Sequence, residues 1–227
     1  MKKRLFDIVA SVVGLALLAP LFLIIALAIK CSASGPVFYR QQRIGRGGRP
    51  FWLYKFRTMS IAAGGSLITV EGDPRITPVG RALRRWKLDE LPQLLNILRG
   101  EMSVVGPRPE VERFVRYYTP EQRRLLKQAP GLAGLSQLVY PHEADILRGY
   151  PNPEEVYVQQ LMPRKLAVDL QYERVRTFWS DLRLLVEIAL LILGKSYRID
   201  RDFRISPSEK KHVESVGPGP VRQKDVT

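Results

Sequence analysis

Two adjacent acidic residues, Asp89 and Glu90, are the best candidates for chemistry in this chain of 227 residues. A cluster of basic residues precedes them: Arg81, Arg84, Arg85 and Lys87. Pro92 follows, and proline is tolerated in the first turn of a helix, so we predict a helix from near Leu88 to about Leu98. The helix dipole and the cations would lower the pKa of a carboxylate there and keep it ionised, as a nucleophile or a Mg²⁺ ligand must be. The pair alone is explained more simply by the general preference of acidic residues for helix starts.

Two further basic stretches could bind phosphate. Arg108 lies between two prolines whose fixed φ angles would hold its guanidinium in one orientation, which suits bidentate binding of a phosphate or carboxylate. An ordinary proline turn with a solvated arginine is an equal alternative. Residues 54–57 alternate aromatic and basic side chains, so that Lys55 and Arg57 could face phosphates or simply be solvated while the rings are buried.

The composition calls for an anionic partner. Lys and Arg outnumber Asp and Glu by 36 to 22, which gives a formal net charge of +14. Phosphates of nucleotides, lipid headgroups or nucleic acid would balance this charge. The single cysteine, Cys31, rules out an internal disulfide framework, and His142 and His212 are not spaced as zinc ligands. Catalysis would therefore depend on carboxylates, hydroxyls and cations.

Residues 8–29 carry no charge and predict a membrane anchor, because as a helix they would extend about 33 Å. Pro20 interrupts this stretch and should kink the helix. Basic residues flank both ends, so a straight span would put one cluster on the disfavoured side of the bilayer. We predict a re-entrant helix that enters, bends at Pro20 and leaves by the same face, with a straight span as the alternative.

The remaining sequence predicts a mainly α-helical fold with a small β-hairpin. The predicted strands are 36–43 and 51–57, and the predicted helices are 78–86, 88–98, 111–128, 163–178 and an interfacial or core helix at 179–193. We divide the chain into an anchor (1–34), a catalytic domain with interfacial helices (35–205) and a disordered tail (206–227).

Taken in order, these features resemble the bacterial sugar transferase family, small monotopic phosphoglycosyl transferases that start lipid-linked glycan synthesis. The resemblance extends from about Lys3 to Leu193. Several short motifs in register with the anchor carry it: residues 4–7 (RLFD), 54–59 (YKFRTM), 77–81 (TPVGR), 88–94 (LDELPQL), 102–109 (MSVVGPRP) and 130–134 (PGLAG).

The resemblance implies transfer of a sugar-1-phosphate from a nucleoside diphosphate sugar, with UDP as the expected nucleotide, to polyprenyl (undecaprenyl) phosphate. Asp89 would attack the sugar-bearing phosphate and form a covalent aspartyl phosphosugar, which the lipid phosphate then takes. The implied cofactor is Mg²⁺, with Asp89 as its ligand and Glu90 as the catalytic partner. The implied substrate-binding residues are Lys55, Arg57, Arg84 and Arg108.

The family also implies a location and a pathway. The catalytic domain would lie on the cytoplasmic face of the bacterial inner membrane, and the product would start an exopolysaccharide, an O-antigen or a glycoprotein glycan. A homodimer is left open, and no nucleic acid is expected as a partner.

The chain departs from the family pattern at several positions. Ala19 replaces the serine that often precedes the membrane proline, and Ala133 and Leu135 replace a threonine and a tryptophan. The segment 138–165 is longer than in the smallest members and leads to the motif at 166–170, so the sugar stays open. A non-enzymatic membrane adaptor that binds anionic lipid or nucleic acid is the alternative, and it accounts for the anchor and the charge but not for the acidic pair.

Overall fold

A computed structural model describes residues 2–60, 67–70 and 72–195, and the predicted tail lies outside this range. The helices are α1 (Lys2–Ser32), α2 (Pro78–Arg85), α3 (Gln93–Arg99), α4 (Glu112–Val115), α5 (Leu135–Val139), α6 (Glu143–Ile146), α7 (Pro153–Val156), α8 (Met162–Val175) and α9 (Phe178–Ile192). The strands are β1 (Phe38–Ile44), β2 (Pro50–Phe56), β3 (Ser103–Val105) and β4 (Gly131–Ala133). The prediction of a mainly helical fold with a small hairpin is confirmed.

The predicted hairpin is antiparallel β1–β2, paired from Phe38 opposite Phe56 to Ile44 opposite Pro50. Its tight turn contains Gly47 and Gly48, whose φ angles of 72° and 76° favour glycine. The second sheet, parallel β3–β4, was not predicted, since strands of three residues are too short to show a period.

The predicted helix over 111–128 is wrong. The structure has α4, which ends at Val115, and then a separate 3-10 segment, Gln122–Lys127. Pro120 accounts for the break, because a proline disfavours helical backbone at the residue before it, here Thr119. The helices predicted at 163–178 and 179–193 correspond to α8 and α9, with small shifts at their ends.

Helix α1 packs against the domain at both ends. Near its start, the Asp7 carboxylate is buried and accepts hydrogen bonds from Val104 N (2.9 Å) and Ser103 Oγ (3.1 Å). At its other end, Arg57 donates to the carbonyls of Ala33 (2.7 Å) and Ser34 (2.5 Å). The helical backbone runs through Pro20 without interruption. The same domain therefore holds both termini of the apolar helix.

Apolar contacts extend along α1 between these polar ties. Ile25 and Ile29 are buried with Phe56 and Leu83 in a small core cluster, separate from the main core. The opposite face of α1 is exposed, and α9, whose Phe178 ring centre lies 5.6 Å from that of Phe6 on α1, also exposes apolar side chains. On α1 these are Leu5, Val9, Val12, Val13, Leu17, Leu23, Ile24 and Leu27, and on α9 they are Phe178, Trp179, Leu182 and Val186. By length and composition, α1 could cross a bilayer.

Gly80 brings α2 against the end of the hairpin. A Cβ atom at this position would lie 2.1 Å from the backbone oxygen of Thr58, which cannot move without displacing the chain. We expect Gly80→Ala to destabilise the protein by about 3 kcal/mol, measured by thermal unfolding in mild detergent. Gly14→Ala is the matched control, since its Cβ would lie 3.2 Å from the flexible Leu94 side chain. Equal effects of the two substitutions would contradict the argument.

Asp169 ties α8 to α5 and predicts a pH-dependent stability. Its buried carboxylate accepts hydrogen bonds from Ser136 N (3.0 Å) and Ser136 Oγ (2.9 Å). Burial raises its pKa to about 6, although these hydrogen bonds oppose the shift. The folded state therefore binds this proton more tightly than the unfolded chain does. Its contribution to stability is complete below about pH 4 and is lost as pH rises to about 6.

Asp169→Asn keeps an acceptor for Ser136 N and removes the titration. Relative to the parent, we expect the variant to gain roughly 3 kcal/mol in unfolding free energy between pH 4 and pH 7. Chemical or thermal unfolding at several pH values checks this. A difference that does not change with pH would contradict it.

Candidate active site

The acidic pair lies in a short 3-10 turn, Leu88–Glu90, between α2 and α3. Lys87 enters this turn with a φ angle of 54°, and it is the one non-glycine residue with positive φ in the described part of the chain. Such backbone is strained and is frequent at functional sites. Asp89 and Glu90 are each only 6% exposed. The turn therefore holds two adjacent carboxylates in a buried position just before a helix, close to the predicted place.

Two cations hold Glu90. Arg108 Nη2 lies 2.5 Å from Glu90 Oε1 and Arg108 Nη1 lies 3.1 Å from Oε2, so the pair is bidentate. Lys55 Nζ, from β2, donates to Glu90 Oε1 at 3.0 Å. The proline turn thus presents Arg108 to a carboxylate, one of the two ligands that its geometry suggested. Three segments distant in sequence meet at this side chain.

The two carboxylates differ in their electrostatics. Burial opposes ionisation of Glu90, but Arg108 and Lys55 outweigh it and hold its pKa well below the usual range. Burial raises the pKa of Asp89, and the negative charge of Glu90 raises it further. The positive charges of Lys55 and Arg84 act in the opposite direction but do not outweigh burial. The prediction that the surrounding cations lower the pKa is therefore wrong for Asp89, because desolvation is the larger effect. Only Glu90 behaves as predicted.

The two carboxylates also differ in their hydrogen bonds. Within the described residues, its side chain accepts no hydrogen bond, whereas both oxygens of Glu90 are occupied. A carboxylate with free lone pairs can act as a nucleophile. The geometry therefore distinguishes the two carboxylates: Glu90 is bound to both cations, whereas Asp89 accepts no hydrogen bond from a described residue.

The other predicted substrate-binding residues lie in different surroundings. Arg84 Nε donates to Thr58 Oγ1 at 2.8 Å, and its charge acts on Asp89. Burial lowers the pKa of Lys55, which Glu90 partly offsets. Arg57 is 6% exposed, and its guanidinium binds the end of α1 instead of joining the pair. Its predicted contact with substrate stays a prediction.

Sequence reasoning missed several residues that support the site. Asn96 on α3 accepts from Tyr54 N (3.1 Å) and donates to Trp52 O (2.7 Å), which fixes the strand that carries Lys55. Glu110 accepts from Arg43 Nη1 at 2.9 Å and from the Tyr157 hydroxyl. A polar residue within the apolar run 94–98 could have pointed to Asn96, but the sequence around Glu110 carries no such signal.

The donor set suits Mg²⁺. No group of three or more His, Cys, Asp or Glu side chains that could hold a metal occurs in the described ranges. Mg²⁺ commonly binds through one or two carboxylates together with substrate phosphates and water, so it needs no larger cage. The free carboxylate of Asp89 fits this mode, whereas Glu90 is already paired with cations.

Comparison with known proteins gives a consistent result. A family model described as "Bacterial sugar transferase" matches residues 1–195. A UDP-glucose:undecaprenyl-phosphate glucose-1-phosphate transferase of Caulobacter vibrioides is 41% identical over 87% of this chain and 72% of its own length. A transferase of the same name from Xanthomonas campestris is 39% identical over 85% of this chain, which spans only 39% of that relative. An exopolysaccharide production protein of Rhizobium meliloti is 45% identical over 61% of this chain and 69% of its own length. This chain belongs to the bacterial sugar transferase family.

Proposed function

We propose that the protein transfers a sugar-1-phosphate from a UDP-sugar to undecaprenyl phosphate and so starts a lipid-linked glycan. The observation that carries this proposal is the buried Asp89 carboxylate, free of hydrogen bonds within the described residues and next to a Glu90 clamped by two cations. The names of the relatives support the substrates, and one of those names supports an exopolysaccharide as the final product.

The first step forms a covalent intermediate. An oxygen of Asp89 attacks the phosphorus that carries the sugar, and the bond from this phosphorus to the bridging oxygen breaks. The electron pair leaves with UMP. An oxygen of undecaprenyl phosphate then attacks the aspartyl phosphosugar, and the electron pair of the broken O–P bond returns to the carboxylate. Two displacements through the aspartyl intermediate thus replace a direct attack of one anion, undecaprenyl phosphate, on another, the diphosphate of the donor.

The cations of the site compensate the phosphate charge. Lys55 and Arg108 are held by Glu90 at fixed positions, so they need no reorganisation when negative charge develops. Arg84 is oriented by Thr58 and acts on Asp89 from α2. Mg²⁺, when bound through Asp89 and the diphosphate, would neutralise charge on the leaving nucleotide.

The two attached ends of α1 support a re-entrant anchor. A straight span would place one end of the helix across a bilayer about 30 Å thick, yet the same domain binds Asp7 at one end, through Ser103 and the Val104 amide, and Ala33 at the other, through Arg57. We propose that α1 and the apolar face of α9 lie in the cytoplasmic leaflet, with the domain on the cytoplasmic side.

A tag at each terminus tests this topology. We expect both tags to resist protease in intact spheroplasts and to be digested after permeabilisation, because both ends would be cytoplasmic. Digestion of the N-terminal tag alone in intact spheroplasts would indicate a straight span.

Release of UMP tests the activity. The purified protein is incubated with undecaprenyl phosphate, Mg²⁺ and a panel of UDP-sugars, and UMP and lipid-linked sugar are measured. We expect both products with at least one sugar and neither without Mg²⁺. A non-enzymatic adaptor would instead bind anionic vesicles without forming either product, and its binding would fall steeply with salt.

A further inference from the structure

A second ion pair joins α8 to α6. Lys165 Nζ on α8 is 2.5 Å from Glu143 Oε2 at the start of α6. The Lys165 side chain is buried, whereas one third of the Glu143 side chain is exposed. Glu143 Oε1 accepts no hydrogen bond from any described residue. The carboxylate thus has one oxygen fixed by a buried ammonium group and one oxygen available to a ligand.

Electrostatics connect Glu143 with the candidate active site. Burial opposes its ionisation, but Lys165, Arg108 and Lys87 outweigh this effect and lower its pKa. Arg108 and Lys87 also act on Glu90. Glu143 is therefore subject to the positive charge of the same two residues as Glu90, but from a different element of the fold.

The pair is held in place by a network that includes the Arg108 turn. Lys165 Nζ lies 5.2 Å from the centre of the Tyr157 ring. The Tyr157 hydroxyl donates to Glu110, two residues after Arg108, and Glu110 also accepts from Arg43 on β1. Tyr157 begins a π-helical segment, Tyr157–Leu161, a type of irregularity that is frequent at functional sites. Glu143 is therefore linked through Lys165 and Tyr157 to the turn that carries Arg108.

The chemistry of a carboxylate limits what it can contact. The diphosphate of a donor is anionic and would be repelled by Glu143, so a neutral hydrogen-bond donor is the suitable partner. A nucleotide sugar carries such groups as hydroxyls, on its ribose and on its hexose. We infer that Glu143 Oε1 accepts a hydrogen bond from a hydroxyl of the bound nucleotide sugar, an inference that rests on the proposed function.

Donors that lack single hydroxyls test this inference. We compare kcat/KM of the unmodified protein and of Glu143→Ala with the full UDP-sugar and with analogues deoxygenated at one position of the ribose or the hexose. The variant should lose about 10–100-fold with the full donor, the range of a hydrogen bond to a charged group. With the analogue that lacks the contacted hydroxyl, the two proteins should be equally slow.

Glu143→Asp is the second variant and Glu112→Ala the control. The aspartate keeps a charge beside Lys165, which protects the fold, but withdraws the carboxylate by one methylene, so the same pattern is expected. Glu112 forms an exposed pair with Arg116 and should have no effect. Equilibrium binding of UDP shows whether the contacted hydroxyl belongs to the ribose or to the hexose. Glu143→Ala weakens UDP binding if the ribose is contacted and leaves it unchanged if the hexose is contacted.

The outcomes are distinguishable from failure of the proposed function. If the unmodified protein releases no UMP from any UDP-sugar, the proposed function fails. If it is active and both Glu143 variants lose the same factor with every analogue, change only the Mg²⁺ requirement or lose nothing, this inference alone is overturned.

Discussion

Asp89→Asn is expected to lower sugar-phosphate transfer by about a thousandfold or more, because an amide cannot form the aspartyl phosphosugar. The measurement is UMP release with a productive UDP-sugar, together with capture of radiolabelled phosphosugar on the protein. Both signals should disappear. The expected effect is large because no other carboxylate oxygen of the pair is free to attack: both Glu90 oxygens are bound to cations.

The unfolding temperature of Asp89→Asn distinguishes loss of the nucleophile from loss of the folded structure. Burial raises the pKa of Asp89, which means that the site disfavours its charge, so removal of the charge should not lower the unfolding temperature. Asp145→Asn, at an exposed pair with His142, is the control and should keep full transfer. Transfer at the parent rate by Asp89→Asn, or an adduct that still forms, would exclude Asp89 as the nucleophile.

Glu90→Gln is expected to cost about 3–5 kcal/mol of unfolding free energy and at least a hundredfold in transfer. The substitution leaves the partly buried Lys55 and Arg108 without the carboxylate that holds them, and a charge that loses its partner away from bulk solvent is destabilising. The cations would also lose the positions in which they screen phosphate. Denaturant unfolding in detergent and UMP release are the two measurements.

A substitution at an exposed ion pair is the reference for the stability change of Glu90→Gln. Glu112→Gln breaks an ion pair of similar length (2.9 Å) whose side chains are mostly exposed, so it should change stability by less than about 1 kcal/mol. Lys55→Met combined with Glu90→Gln should recover part of the loss, because one of the unpaired charges is then removed. If Glu90→Gln unfolds like the parent, the ion pairs of Glu90 with Lys55 and Arg108 do not stabilise the fold.

The sequence was informative about local features and much less so about which of the two acidic residues is bound to the cations. Adjacent Asp89 and Glu90 look equivalent in the sequence, and nothing nearby indicates which one would be clamped. The difference arises from Lys55 and Arg108, which lie 35 and 18 residues from Glu90. Desolvation of Asp89 likewise depends on the packing of distant segments, so the direction of its pKa could not be read from neighbouring charges.

Arg57 illustrates the same limit, and Pro120 does not. Arg57 follows Lys55 in an alternating pattern that favours phosphate binding, yet its partners are carbonyls 23 and 24 residues earlier. Pro120 shows the opposite case, since its local effect on the backbone was sufficient to exclude a long helix over 111–128. Hairpin turns and helix starts were predictable because glycine, proline and periodicity act within a few residues.

The attachment of α1 at both ends has a consequence for biosynthesis. This helix is synthesised before the segments that bind it, since its partners Ser103 and Val104 follow about a hundred residues later. Until then, Asp7 and the apolar residues that later join the core have only lipid, water or chaperones as neighbours. The rest of the domain must therefore complete its folding on a helix that has already been synthesised. A chain that lacks the first 34 residues would expose the surfaces that α1 covers, so removing the anchor should yield an aggregating protein instead of a soluble enzyme.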